Sequence, residues 1–328
     1  MTSRLPVYML AVLIAACAAP AATPVRIIFD TDMGNDIDDA LALAMIHALE
    51  SRGEIKLLAV TITKDHINAA RYIELVNRFY GRDSIPIGIV KDGKTPQDSP
   101  MLSKPLSLAN YKPSDKYEEA ASLLRRVLQK ERDRSVVLVQ VGFFTNAARL
   151  LDTAGGPALV AKKVKSLVMM AGEFPAGPAE FNVRIDIPAA KRVFADWPTP
   201  IVTSGFEIGK AILYPARAID TYFRYAERHP VADSYRAYKS MPYDRPTWDL
   251  TAVLHAARPS ANYFTLSKAG VIAVDDKGVT THTASAGGKH RYLILEPSAS
   301  KRVLDDLISL SSRPPDRLQG VPNKQYEP

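Results

Sequence analysis

The sequence is poor in the features that classify many chains at a glance. It has a single cysteine, Cys17, in 328 residues, so no intrachain disulfide can form and stability has to come from a buried core. It has no apolar run long enough to cross a bilayer: Val7–Ala16 falls well short of the roughly 20 residues that a spanning helix requires. Repeats and low-complexity tracts are absent, which excludes solenoid and fibrous architectures. The formal net charge is +7, yet no nucleic-acid motif accompanies it. The local excess at Arg125, Arg126, Lys130, Arg132 and Arg134 reads as the solvated face of a helix, and no nucleic-acid partner is expected.

Residues 1–22 read as an export signal. Arg4 gives a positive start, Val7–Ala16 is a short apolar core, and small residues follow at Ala18–Ala22. Ile14-Ala15-Ala16-Cys17 resembles the bacterial lipobox, in which the cysteine is lipidated. Two outcomes stand: a lipoprotein anchored to the membrane through Cys17, or ordinary cleavage near Ala19-Pro20-Ala21 and release into the periplasm. Both make the chain an exported bacterial protein. Residues 23–328 then form one domain, and with 47% hydrophobic residues the chain can bury a large core.

Short apolar runs alternate with amphipathic segments. Val25–Phe29, Ile55–Thr63, Ile85–Val90, Val136–Val141, Leu167–Met170 and Ile201–Thr203 are rich in Val and Ile and read as buried strands. Asp39–Arg52, Asn68–Tyr80, Tyr117–Arg132 and Ala189–Asp196 read as helices. The alternation predicts an α/β fold, an open and mostly parallel sheet with helices on both faces. Lys91–Ser114 is expected to be a loop or flap, and Ala218–Ala257 mainly helical. A hairpin turning at Asp276-Lys277-Gly278, a strand at Tyr292–Leu295 and a helix from Ser300 complete the chain. Open parallel sheets bind ligands at the carboxyl ends of their strands. There the polar stretches after successive strands, Asp30–Asp39, Thr63–Asp65, Gly142–Asn146 and Gly172–Asn182, are expected to converge.

Against the basic background, FDTDMGNDIDDALAL (Phe29–Leu43) places five aspartates within ten positions. Asp38 and Asp39 begin a helix, where a carboxylate caps free N–H groups and suits the positive end of the dipole. That accounts for one of them. It leaves Asp30 and Asp32, which alternate across a strand end, and Asp36. A hard cation neutralises such a cluster, since Ca²⁺ takes several oxygens from carboxylates and carbonyls. An EF-hand is excluded, because Gly34 falls at the fifth loop position rather than the sixth and Leu41 stands where the bidentate glutamate belongs. A phosphatase with a DxD nucleophile stays open, although Met33-Gly34 is an unusual continuation for one.

Asp30-Thr31-Asp32-Met33-Gly34 through Asp38-Asp39-Ala40-Leu41-Ala42-Leu43 resembles the signature of the inosine/uridine-preferring nucleoside hydrolases, whose usual form is DxDPGxDDAxAL. Here the loop is two residues longer and Met33 replaces the proline. Val141–Asn146 resembles the family's GPLTN segment, Met170–Gly172 with Ala179–Asn182 its MGG…AEFN stretch, and Trp248–Val253 its HDxxAV segment. Four segments in the right order make a specific match over most of the chain.

The resemblance implies a calcium-dependent N-ribohydrolase that cleaves ribonucleosides to ribose and free base, and a homo-oligomer, dimer or tetramer. By position, Asp32, Asp39 and Asp249 would bind Ca²⁺ through side chains and Thr145 through its carbonyl. Asp32 would take the proton of the attacking water. Asp38, Glu180 and Asn182 would hydrogen-bond the ribose hydroxyls. Asp30 would be either a further ligand or only a brace for the loop, and Asp36 has no counterpart.

Three departures stand out. The histidine that precedes the last calcium aspartate, a leaving-group acid in the family, is Trp248, which can stack on a base but cannot protonate it. The GN expected after the second strand reads Thr63-Lys64-Asp65-His66, so Lys64 or Asp65 is expected to reach the ribose or its 5′ side, and His66 is the best-placed substitute acid. The asparagine expected before AEFN is missing from Glu173–Ala179. With the leaving-group half altered, a ribose- or nucleoside-binding protein without turnover remains the alternative reading.

Overall fold

The computed structural model describes residues 23–319; the expected export signal, with Arg4 and Cys17, lies outside them. The strands are β1 (Val25–Thr31), β2 (Ile55–Lys64), β3 (Ile87–Lys94), β4 (Glu118–Glu119), β5 (Val136–Gln140), β6 (Val164–Met170), β7 (Ile201–Ser204), β8 (Leu213–Tyr214), β9 (Arg245–Pro246), β10 (Thr265–Leu266), β11 (Gly270–Val274), β12 (Thr280–Ala284) and β13 (His290–Ile294). The main sheet runs β12-β11-β13-β7-β6-β5-β1-β2-β3-β4, with β10 added on β13. From β4 across to β13 every neighbouring pair is parallel. The β11–β12 hairpin and β10 are antiparallel additions at one side.

The central strands are apolar because helices cover both faces, so neither face meets water. In β1 successive side chains point opposite ways: Ile27 and Phe29 enter one core, and Ile28 enters the other. The first core packs against helices Asp38–Ser51, Ile67–Phe79, Trp248–Ala257 and Ser300–Ser311; the second packs against Ala120–Lys130, Thr145–Asp152 and Ile187–Asp196. Helix Asp38–Ser51 is buried nearly all round. Its Ala, Leu and Met residues are strong helix formers that also suit a dry environment. No helix among the described residues is long and apolar enough to cross a membrane.

The expected α/β architecture is the one observed, with local differences. Lys91–Ser114 is not all loop: β3 continues to Lys94, and Pro100–Leu108 forms a helix that buries Met101 and Leu102. A proline at the first helical turn costs no hydrogen bond. The segment Ala218–Ala257 is three helices, Ala216–Tyr222, Pro230–Tyr238 and Trp248–Ala257, interrupted by β9, which pairs with β8.

Candidate active site

From β1 the chain steps outward through β2, β3 and β4, then returns to lay β5 on the other side of β1. The β1–β5 border is therefore the switch point of the sheet, where neighbouring loops diverge and leave a crevice. The acidic loop leaves β1 there, and Val141–Phe144 leaves β5. Their close approach depends on Gly142, since a Cβ at that position would lie 2.4 Å from Thr63 Oγ1 and 2.5 Å from the backbone nitrogen of Asp32. Gly34 turns the acidic loop at φ +111°, and a Cβ there would meet Leu102 at 2.4 Å.

The crevice opens into a cavity of about 300 Å³ lined by Asp32, Asn35, Asp36, Asp38, Val141, Met170, Glu180, Phe181, Asn182, Phe206, Tyr238, Arg245, Trp248 and Asp249. Helices Asp38–Ser51 and Trp248–Ala257 pack together. Both carry aspartates in their first turns, Asp38 and Asp39 on one and Asp249 on the other. Two positive helix ends thus offset part of the acidic charge. The loops after β6 and β7 add an apolar wall. Trp248 stacks on Phe206 with centroids 5.0 Å apart and donates its indole N–H to the Phe206 carbonyl at 2.9 Å.

The carboxylates are held individually. Asp30 is buried behind the cavity and accepts from Thr61 Oγ1 at 2.6 Å and from Asn146 Nδ2 at 2.7 Å. It braces β1 against β2 and helix Thr145–Asp152. Asp39 accepts from the Thr31 hydroxyl, which itself accepts the Met33 N–H. Asp32 Oδ2 accepts from Asn35 Nδ2 at 2.7 Å. Asp38 accepts from Arg245 Nε and Nη2 at 3.0 and 2.8 Å through Oδ1, and from the Asp249 N–H at 3.2 Å through Oδ2. Asp36 lies 2.7 Å from Arg245 Nη2. Oxygens of Asp36, Asp38 and Asp249 lie within 4.8 Å of one another.

Burial raises the carboxyls of Asp32 and Asp38 to about 7. Burial, compounded by neighbouring aspartates, raises Asp39 and Asp249 well above the ordinary carboxylate range. At 4.8 Å and an effective dielectric of 20, two carboxylates repel by about 3.5 kcal/mol. Asp39 Oδ2 and Asp249 Oδ2 are buried without a hydrogen-bond partner. Buried acceptors left without donors are costly, and a hard cation satisfies both the charge and the free oxygens. The aspartate cluster therefore suits a metal ion.

Several expectations change on inspection. Thr145 is not at the cavity: its hydroxyl donates to Asp186 Oδ2 at 2.5 Å, and it lines a separate depression with Arg149 and Arg192. The segment instead brings the Val141 carbonyl to the cavity wall, where it accepts from Asn182 Nδ2 at 2.7 Å. The helix starts at Thr145 and turns that residue away. Lys64 is buried outside the lining, its Nζ bonded to Asn35 Oδ1 and the Thr95 carbonyl. His66 does not reach the cavity either. It caps helix Ile67–Phe79 by accepting the Asn68 N–H at 3.3 Å, and its ring lies 3.6 Å from Asp98.

Asp32, Asp38, Asp249, Glu180, Asn182 and Trp248 do come together in the lining. Glu180 also caps the short helix Phe181–Ile185, accepting the N–H groups of Asn182 at 2.8 Å and Val183 at 3.3 Å. Burial raises its carboxyl to about 7. The residues missing from the sequence reading are Arg245, Tyr238 and Phe206. Arg245 sits over the rings of Trp248 (4.9 Å) and Tyr238 (5.2 Å). Its only sequence signal is a basic residue three places before Trp248.

The chain resembles solved structures of nucleoside hydrolases. A plant nucleoside hydrolase superposes with a TM-score of 0.70 at 20% identity, covering 89% of this chain and 100% of that one. A purine-preferring ribonucleoside hydrolase from Gardnerella vaginalis gives 0.70 at 17% identity, covering 88% and 98%. An inosine-uridine preferring nucleoside hydrolase from Bacillus anthracis gives 0.67 at 18%, covering 88% and 99%. No match was found among curated proteins. A model of the inosine-uridine preferring nucleoside hydrolases matches residues 27–305, and the chain belongs to that family of hydrolases acting on N-glycosyl compounds.

Proposed function

We propose that the protein is a Ca²⁺-dependent N-ribohydrolase that cleaves ribonucleosides to ribose and free base. The observation that carries this reading is a buried oxygen without a partner on Asp249, which lines a cavity with an aromatic wall, together with a second on Asp39, which is fully buried outside that lining. Asp32, Asp39, Asp249 and the Val141 carbonyl would hold the cation, a set of hard oxygen donors suited to Ca²⁺. When bound, the cation supplies a polarised water and a grip on a vicinal diol.

The chain's own residues account for the rest. Asp32 would accept the proton of the attacking water, as a carboxylate in the cavity lining. Asp38, Glu180 and Asn182 face the ribose hydroxyls. Trp248, Phe206 and Tyr238 give the base an apolar surface to stack on. Trp248 cannot protonate the departing base, and His66 lies elsewhere, so the cavity favours substrates whose leaving group departs readily. The export signal expected in residues 1–22 would send the enzyme to the periplasm or hold it on the membrane as a lipoprotein; the mass of the mature N-terminus distinguishes the two. The dimer or tetramer implied by the resemblance is tested by light scattering.

The functional test is ribose release from a panel of nucleosides and p-nitrophenyl riboside, with calorimetric binding measured in parallel. Cleavage of at least one riboside, fastest for the nitrophenyl compound, supports the reading. Tight binding of nucleosides without any ribose release would instead establish a binding protein.

A further inference from the structure

Two departures from the family pattern, the lengthened acidic loop and the lysine after the second strand, meet in the structure. Asn35, in the lengthened loop, donates from Nδ2 to Asp32 Oδ2 at 2.7 Å and to Thr95 Oγ1 at 3.2 Å. Lys64, at the end of β2, donates from Nζ to Asn35 Oδ1 at 3.1 Å and to the Thr95 carbonyl at 2.8 Å. Lys64 is 2% exposed. We propose that Lys64 and Asn35 are positioning residues for Asp32. The lysine fixes which way the Asn35 amide faces, and the amide occupies Asp32 Oδ2 so that Oδ1 receives the proton of the attacking water.

These roles follow from what each group can donate. A lysine ammonium has donors only, whereas an amide has a donor end and an acceptor end. Lys64 can therefore engage only Oδ1 of Asn35, which turns Nδ2 toward the carboxylate. Without the ammonium, the amide could rotate by half a turn and set its oxygen against Asp32, a repulsive contact. Thr95 anchors both partners at a φ of +50°. For a β-branched residue this conformation is costly and persists only where the surroundings over-determine it. The same tail is tied to the end of β2 by the Gly93 N–H, which donates to Asp65 Oδ2 at 2.9 Å. A lysine alone would present no amide to Asp32, and a longer loop alone would leave the amide unoriented. The two departures act as one compensated change.

The kinetic side of this inference rests on the proposed hydrolase reading, so its test has two arms. In the first, Asn35→Ala, Lys64→Met and the double variant are compared in the cation-loaded enzyme on p-nitrophenyl riboside. Each single change should lower kcat about tenfold to a hundredfold, the usual effect of losing a group that orients a site residue, with KM nearly unchanged. The double variant should be no slower than the worse single one, because both remove one unit, and Lys64→Arg should recover part of kcat. Multiplied effects, an unchanged kcat, or a loss confined to KM would overturn the proposal. The second arm needs no activity. The Asn35 side-chain amide protons, followed by NMR, should exchange slowly in the wild type and rapidly in Lys64→Met. Equal exchange in the two proteins would overturn the proposal, while slow wild-type exchange in a protein that releases no ribose would count against the hydrolase reading alone.

Discussion

Replacing Arg245 by methionine keeps most of the side chain's length and removes its charge. Arg245 places Nε and Nη2 at 3.0 and 2.8 Å from one oxygen of Asp38, a carboxylate that is 1% exposed. Stranding a buried charge in this way costs about 3–5 kcal/mol. Asp36, whose side chain is 32% exposed, adds little because water screens it. Asp38 escapes most of the stranding cost by taking up a proton. With its carboxyl already raised to about 7, the deficit at pH 8 is limited to about 1.4 kcal/mol, and at roughly 2 °C per kcal/mol for a chain of this size the melting temperature in chelator should fall by about 3 °C. The deficit should depend on pH with a definite sign. Without Arg245 the folded-state pKa of Asp38 lies still further above its unfolded value, so the penalty is absent at low pH and grows as pH rises toward and past 7. It should therefore shrink at pH 5, where Asp38 takes up a proton. Added Ca²⁺ should reduce it as well, by supplying the missing positive charge. Scanning calorimetry at pH 5 and pH 8 decides the matter. An unchanged melting temperature at pH 8 would refute the compensating role of Arg245, and a deficit equal at both pH values would show lost packing rather than lost charge.

Other perturbations probe separate parts of the account. His66→Ala should leave riboside turnover unchanged while costing about 1 kcal/mol of stability, the usual price of a lost helix cap; a large fall in kcat would return His66 to the mechanism. Gly142→Ala should destabilise the fold by about 1–3 kcal/mol through overpacking and weaken Ca²⁺ binding in calorimetry, since the added methyl drives the Val141 segment away from Asp32. His47, stacked on Tyr80 at 4.8 Å and bonded to Asn77 at 2.9 Å, is held neutral by burial with its pKa lowered to about 3. Below its unfolded pKa of about 6.5 the unfolded chain takes up the proton first, so stability falls with pH by about 1.4 kcal/mol per unit. Urea titrations of His47→Gln between pH 6.5 and 4 should lack that increment, and an unchanged slope would refute the assignment.

Much of this molecule was legible before its structure, for physical reasons. Buried parallel strands such as β5, with Val136, Val137, Leu138 and Val139, announce themselves because no residue in them meets water. The pairing of Asp32 with Asp38 and Asp249 was carried by family signatures rather than by spacing. What escaped was mostly set by backbone direction. Thr145 and Val141 lie four residues apart, and only the start of a helix at Thr145 decides which of them borders the cavity. Arg245 and Tyr238 reach the site from a stretch expected to be merely helical, and nothing in the sequence says which polar residue there turns inward. His66 shows the same ambiguity, since a residue that follows a strand can serve a site or cap the next helix, and here it caps.

The aspartates are expected to form a cation site, and riboside cleavage to require it. This is tested most directly by measuring bound metal and ribose release together, in the wild type and in Asp39→Ala, before and after chelation. One Ca²⁺ per wild-type chain is expected, lost on chelation and absent from Asp39→Ala, with ribose release disappearing in step and returning to the wild type alone when Ca²⁺ is restored. Undiminished ribose release from a metal-free wild-type protein would contradict that requirement.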